Sequence, residues 1–155
     1  MRLETTKIYT YDELSDSAKD KAVDDHNDIN IEDDFWYEHI SDELLEYGAI
    51  LVEFDIYRDK IGIDFGDCGE FASKVMENHG KNTYNYILSM NFLNDLMTAC
   101  DDDTIEETSR EYTNSISQEY LKILRDSYEY AMSNESIVET IIANEYEFLA
   151  SGKRY

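Results

Sequence analysis

Proline is absent from this chain of 155 residues, cysteine occurs twice and histidine three times, and thirteen basic residues face thirty-six acids. Most of these shortages exclude something; the missing proline carries no functional information. Cys68 and Cys100 are too few for a disulfide framework. No signal peptide precedes the first expected strand, and a reducing cytoplasm is the expected compartment. The longest apolar runs extend only a few residues, far below the roughly twenty that span a bilayer. His26, His39 and His79 are scattered, and the first and last fall near expected helix C-termini, where the dipole favours an imidazole.

What is present in excess is negative charge. The formal net charge is −23, yet 42% of the residues are hydrophobic and thirteen are tyrosine. A disordered acidic tail would be poor in those types, so the chain folds and is long enough to bury a core as a single domain. Its carboxylates must then form a strongly negative surface. Such a surface repels nucleic acid and anionic membranes and attracts basic clefts. High-salt adaptation would give a similar surplus, but the richness in Ile, Asn and Tyr points to an AT-rich coding sequence instead.

The hydrophobic pattern predicts an α+β fold: five to six helices on a small antiparallel sheet built from an N-terminal strand and two hairpins. The strand is expected at Thr6 to Tyr9, followed by the capping-box spacing Thr10-Tyr11-Asp12-Glu13. Leu14, Ala18, Ala22 and Val23 give helical periodicity to about His26, with Ser15 or Ser17 as a restart. A helix follows from about Asn30 to Tyr47, stopped by Gly48, with Asp33 and Asp34 in its first turn and Trp36, Ile40, Leu44 and Tyr47 as its apolar stripe. Ala49–Tyr57 and Lys60–Phe65 form the first hairpin, with Val52, Phe54 and Ile56 on one face. Further helices are expected at Glu70–Asn78, at Thr83–Ala99 (through Tyr84, Ile87, Leu88, Phe92 and Leu96), at Thr104–Met132, and from Ser133-Asn134 to Ala143. Tyr146 to Tyr155 reads as the second hairpin.

The candidate partner-binding residues are acids. Asp34, Glu38, Asp42 and Glu46 recur every four residues, about 6 Å apart along a helix. That is on the order of the phosphate spacing along one nucleic-acid strand, so the row matches lysines and arginines arranged to grip a backbone. Phe35 beside it is an exposed aromatic anchor. Asp101, Asp102 and Asp103 form a second cluster. A solvated helix face explains the first row without a partner, and the helix dipole explains the triplet. Breadth favours the binding reading: residues 31–60 hold ten acids and two bases, and residues 101–155 hold thirteen and five.

Other chemistries find less support. Asp101–Asp103 with Glu106 and Glu107 lack the glycine and terminal glutamate of a calcium loop. Asp64-Phe65-Gly66 has no kinase context, and Gly80-Lys81-Asn82-Thr83 lacks the glycine spacing of a phosphate loop. Cys68, between Asp67 and Glu70, stands where a thiolate is disfavoured. No nucleophile, base and orienting group assemble by spacing, so neither an enzyme nor a cofactor is expected. Tyr112 and Tyr120 read as core residues whose hydroxyls reach towards the surface.

Ile8-Tyr9-Thr10-Tyr11-Asp12-Glu13-Leu14-Ser15 with Ala18-Lys19-Asp20-Lys21-Ala22 resembles the start of a family of small acidic bacteriophage and prophage proteins. Asp28-Ile29-Asn30 before Phe35-Trp36 fits the same pattern, as do Phe54 to Arg58, Glu77 to Gly80, and Glu139 through Phe148 to Lys153. Tyr37 stands where relatives often carry a second tryptophan. The resemblance implies no assigned chemistry. It places the chain among phage proteins, a class that includes inhibitors of restriction enzymes and CRISPR effectors, some of them DNA mimics. The expectation is a non-enzymatic protein acting in the host cytoplasm on a host nucleic-acid-binding protein with a basic cleft. A self-assembling accessory or structural phage protein and a carboxylate metal-dependent enzyme are the alternatives.

Overall fold

Residues 6–155 are described by the computed structural model. The expected α+β class is observed, with six α-helices and four short strands among the described residues. The strands do not join into one sheet; they form two separate antiparallel ribbons. Where the sequence suggests a single domain, contacts group the chain into two compact units, residues 6–36 with Ser127–Tyr155, and Tyr37–Asp126.

In the first unit, β1 (Tyr9–Thr10) pairs with β4 (Glu147–Phe148), so the N-terminal strand lies slightly later than its pattern suggests. The Thr10 N–H donates to Glu13 Oε2 at 2.8 Å, which holds a single 3-10 turn over Tyr11–Glu13. Helix α1 (Asp16–Asp24) restarts at Ser15, and α6 (Asn134–Ala143) starts where the Ser133 hydroxyl accepts the Ser136 N–H. Leu14, Ala18, Ala22, Val23, Ile137, Ile141 and Phe148 make the core. Burying side chains such as Phe148 and Ile141 stabilises by about 1.5–3 kcal/mol each.

Helix α2 (Phe35–Glu46) begins five residues later than expected, and Asp33 and Asp34 precede it. The reason is Asn30, whose side chain is engaged elsewhere. Its amide donates to the Ala131 carbonyl at 3.1 Å and to Ser136 Oγ at 2.9 Å, and accepts from Thr140 Oγ1 at 2.6 Å. Loop 27–33 is thus tied to the end of α5 and to α6. The C-terminal hairpin is likewise reduced. Leu149 N–H donates to the Lys153 carbonyl at 2.8 Å, and Phe148 bridges Arg154, while β4 gives its ladder to β1.

In the second unit, β2 (Ala49–Asp55) and β3 (Lys60–Phe65) form the predicted hairpin, but its register shifts between Leu51 and Glu53. Val52 is the extra residue of this bulge and stands 66% exposed, not inward beside Phe54. A bulge turns its strand and breaks the two-residue alternation that sequence patterning assumes. The turn is held by Asp55 Oδ1, which accepts the Tyr57 and Arg58 N–H groups at 3.0 Å each. Helices α3 (Cys68–Asn78) and α4 (Tyr84–Thr98) pack together, and α5 runs from Asp102 to Ala131, with its last residues in the first unit. Asp67 and Thr83 cap α3 and α4, accepting the N–H groups of Glu70 and Tyr86.

Helix α4 is rotated from the expected stripe, of which Phe92 is buried and Leu88 and Leu96 are half-buried. Asn85, Ser89 and Phe92 are inside, whereas Tyr84 and Ile87 are exposed. The Phe92 ring stacks on Tyr112 at 4.2 Å between centroids, and the Tyr112 hydroxyl lies 2.7 Å from Ser89 Oγ. A buried tyrosine hydroxyl needs a partner, and the small polar side chain that supplies it sets the rotation of the helix.

Two glycines test this backbone. Both have positive φ, +82° at Gly152 and +86° at Gly48. A Cβ on Gly152 would stand 2.2 Å from the Ala18 carbonyl oxygen, whereas one on Gly48 meets nothing within 4 Å. Gly48→Ala should therefore cost only the left-handed penalty of about 1 kcal/mol. Gly152→Ala should cost about 2–3 kcal/mol, because the turn must also move off α1. Urea unfolding of the two variants checks the ordering.

Candidate functional site

The carboxylates distribute as charge repulsion requires. Every described Asp and Glu is exposed except Glu43, Asp55 and Glu119, which are partly buried. Among the described residues, only Asp25, Glu43, Glu53, Asp55, Asp59 and Glu107 come within ion-pair distance of a base. The remaining acids face solvent or accept from backbone N–H groups and hydroxyls, so no base cancels their potential locally.

The row selected from the sequence is accessible. Glu38, Asp42 and Glu46 are exposed along α2, opposite the buried Ile40, Leu44 and Tyr47. Asp34 is exposed in the residue before the helix, and Phe35 opens the helix 71% exposed. The Lys74 ammonium donates to the Glu46 carbonyl at 3.1 Å, covering the negative end of the α2 dipole rather than a carboxylate of the row.

The second cluster divides. Asp101 Oδ1 accepts both the N–H and the hydroxyl of Thr104 at 2.7 Å each, which holds its carboxyl below the usual carboxylate value. Its role is to start α5. Asp102 and Asp103 are exposed in the first turn, where the dipole stabilises them, and are the two members of the triplet available to a partner. Asp101→Ala should lower the thermal midpoint, and Asp102→Asn with Asp103→Asn, which lose only the exposed dipole contribution, should lower it less.

Sequence spacing did not single out Glu43, the one carboxylate drawn into the interior chemistry of the second unit. It shares the inner side of α2 with Ile40, Leu44 and Tyr47, and that placement within an apolar stripe was the signal to be found. The Tyr120 hydroxyl donates to Glu43 Oε1 at 2.7 Å. His79 Nε2 stands 3.3 Å from the same oxygen, an electrostatic contact angled away from a hydrogen bond. The Tyr47 ring approaches the imidazole at 5.9 Å. Burial pushes the Glu43 carboxyl up, but His79, Tyr120 and the more distant His39 outweigh it, and the net shift is downward. The Tyr120 hydroxyl moves strongly upward, through burial first and then the charge of Glu43. Tyr112 is pushed up to about 12, chiefly by burial. Neither tyrosine is poised to ionise, so the cluster stores orientation and charge pairing, not a nucleophile.

Cys68 is half-buried and its thiol is raised by burial and by Asp67, the opposite of an activated cysteine. Asp64-Phe65-Gly66 ends β3 and is explained by the hairpin. Among the described residues, no three His, Cys, Asp or Glu side chains converge in a metal-holding geometry, and no helix is long and apolar enough to cross a membrane. No known protein family matches the chain, and neither a curated protein nor a solved structure is similar to it.

The Glu43 pairing has a pH signature of fixed sign. A carboxyl whose folded pKa is depressed contributes stability that is present above its unfolded value, near 4.5, and is lost as pH falls through the folded value. Glu43→Gln should therefore lower stability by a constant amount at neutral pH, with the gap to the parent closing below about pH 4.5. Urea midpoints between pH 7 and pH 3 measure this.

Proposed function

We propose that this chain is a non-enzymatic, phage-encoded binding protein that engages a basic partner through its carboxylate surface. The partner class is a host nucleic-acid-binding protein of a defence system, such as a restriction or CRISPR effector, blocked by imitation of a nucleic-acid backbone. The host cytoplasm is the matching compartment. The observation that carries this reading is the exposed, largely unpaired acid surface, with Glu38, Asp42 and Glu46 along one side of α2 and Phe35 at its start. Surface carboxylates left without bases add little to folding and raise self-repulsion, and a partner that supplies the bases would offset that repulsion.

The test is capture from host lysate treated with nuclease at low salt, followed by a wash at about 0.5 M salt, where the Debye length shrinks to a few ångströms. One nucleic-acid enzyme released by the wash is the expected result. Neutralising the row (Asp34→Asn, Glu38→Gln, Asp42→Asn, Glu46→Gln) should then slow association with it by on the order of tenfold, with a smaller change in dissociation. An association rate insensitive to both salt and this variant would sink the mimic reading.

A second reading has its own observation. Tyr84, Ile87, Met90 and Met97 are exposed on α4, a helix whose only charged residue is Asp95. In a chain carrying −23, that face is where two copies would meet with least repulsion. Light scattering decides this: a defined oligomer abolished by Met97→Glu supports self-assembly, and a strict monomer removes it.

A further inference from the structure

Within the first unit, a groove of about 400 Å³ lies between the 3-10 turn and the end of α6, within the range of ligand-sized sites. Tyr11, Ile142 and Tyr146 give it aromatic and aliphatic walls, while Asp12, Glu145 and Glu147 bring carboxylates to it. All three acids are exposed, and none is among the described carboxylates paired with a base. Both rings attract cations of the chain itself, closely enough at Tyr146 to cover one of its faces and more loosely at Tyr11. The Arg154 guanidinium lies 3.5 Å from the Tyr146 ring centre, and the Lys19 ammonium 5.7 Å from that of Tyr11. The local field is negative as well: burial, then Asp20 and Asp12, raise the Tyr11 hydroxyl above its ordinary value.

These features select a ligand. An anion is repelled by three carboxylates, and a neutral apolar group would desolvate them without compensation. A guanidinium meets both demands, since its plane stacks on tyrosine while its N–H fork pairs with carboxylate oxygens. We propose that this groove receives an arginine side chain of a basic partner protein, stacked against Tyr11 and paired with Asp12, Glu145 and Glu147. The proposal deepens the acidic-surface reading, on which it rests for the partner's basic character. Glu145 has a φ of +53°, a conformation in which glycine is unstrained, so its backbone gains nothing from a glutamate. In this site the gain is a carboxylate at the groove.

The experiment is an amide-shift NMR titration with a capped glycine–arginine–glycine peptide, and in parallel with its citrulline counterpart, equal in shape but uncharged. Saturable shifts concentrated at residues 10–12 and 141–147 are expected, with citrulline at least fivefold weaker. Glu145→Gln with Glu147→Gln should weaken binding at least fivefold, whereas the charge-matched pair Asp64→Asn with Glu77→Gln should not. Glu145→Gly separates site from scaffold: its thermal midpoint should be kept or raised while peptide binding falls. Shifts spread over all exposed acids without saturation, or equal binding of citrulline, would overturn the groove. If that happens while partner capture stays salt-sensitive, the groove falls and the acidic-surface reading stands. Peptide binding at the groove without any salt-sensitive partner supports the arginine site and removes the acidic-surface reading.

Discussion

The cost of taking a carboxylate out of water shapes the interior of the second unit. A carboxylate that leaves water needs donors to meet it, and with thirteen bases for thirty-six acids those donors cannot be mainly lysine and arginine. Glu43 is where the chain meets this demand by another route. Tyr120 donates to it at 2.7 Å and His79 approaches at 3.3 Å, so a phenol and an imidazole take the place of a basic side chain. The arrangement draws three elements of the second unit together, since Glu43 is on α2, His79 caps α3 and Tyr120 lies in α5. Around it, Phe71 meets Tyr47 at 6.0 Å and Tyr120 at 6.4 Å, edge to face. The polar contact fixes the orientation of rings whose burial supplies most of the stabilisation.

The buried tyrosines Tyr112 and Tyr120 meet a related constraint. A core built around hydroxyls needs small polar or carboxylate partners, and Ser89 for Tyr112 and Glu43 for Tyr120 are those partners. Each pairing costs little when satisfied and about 1–3 kcal/mol when one side is removed, so such cores specify which face of a helix turns inward. Helix α4 shows this directly. Hydrophobicity alone would have buried Tyr84 and Ile87, but the hydroxyl of Tyr112 turns Ser89 inward and leaves those apolar groups in water.

Helix existence and most helix ends were legible, because capping and periodicity act within a few residues. Ser133 and Thr83 cap as their side-chain chemistry dictates, and Gly48 stops α2 at a positive φ. What escaped prediction depends on groups distant along the chain. Asn30 is drawn to Ser136 and Thr140, more than a hundred residues away, and α2 starts late as a consequence. Val52 turns outward because a bulge intervenes, and β4 pairs with β1 as well as bridging Arg154 in a shortened C-terminal hairpin. The exposed row on α2 could be read from four-residue spacing. Glu43's place in the apolar stripe of α2 could be read too, but its partners and the Tyr11–Tyr146 groove could not, since they join segments remote in sequence.

On the proposed reading of this chain as a binding protein, charge and shape divide the work of recognition. A diffuse carboxylate surface attracts many basic proteins, accelerates encounter and discriminates weakly, because Coulomb forces over a Debye length carry little positional information. Discrimination needs a place where a wrong side chain is penalised. The exposed acids of α2 stand in water, so a lysine displaced by an ångström loses little there. A groove with aromatic walls behaves differently, since a guanidinium that stacks also gains its carboxylates, while an ammonium pairs without stacking as well. The acidic surface would then set how fast a partner arrives, and the groove which partner stays. That division places the salt dependence in the association rate and the side-chain preference in the dissociation rate.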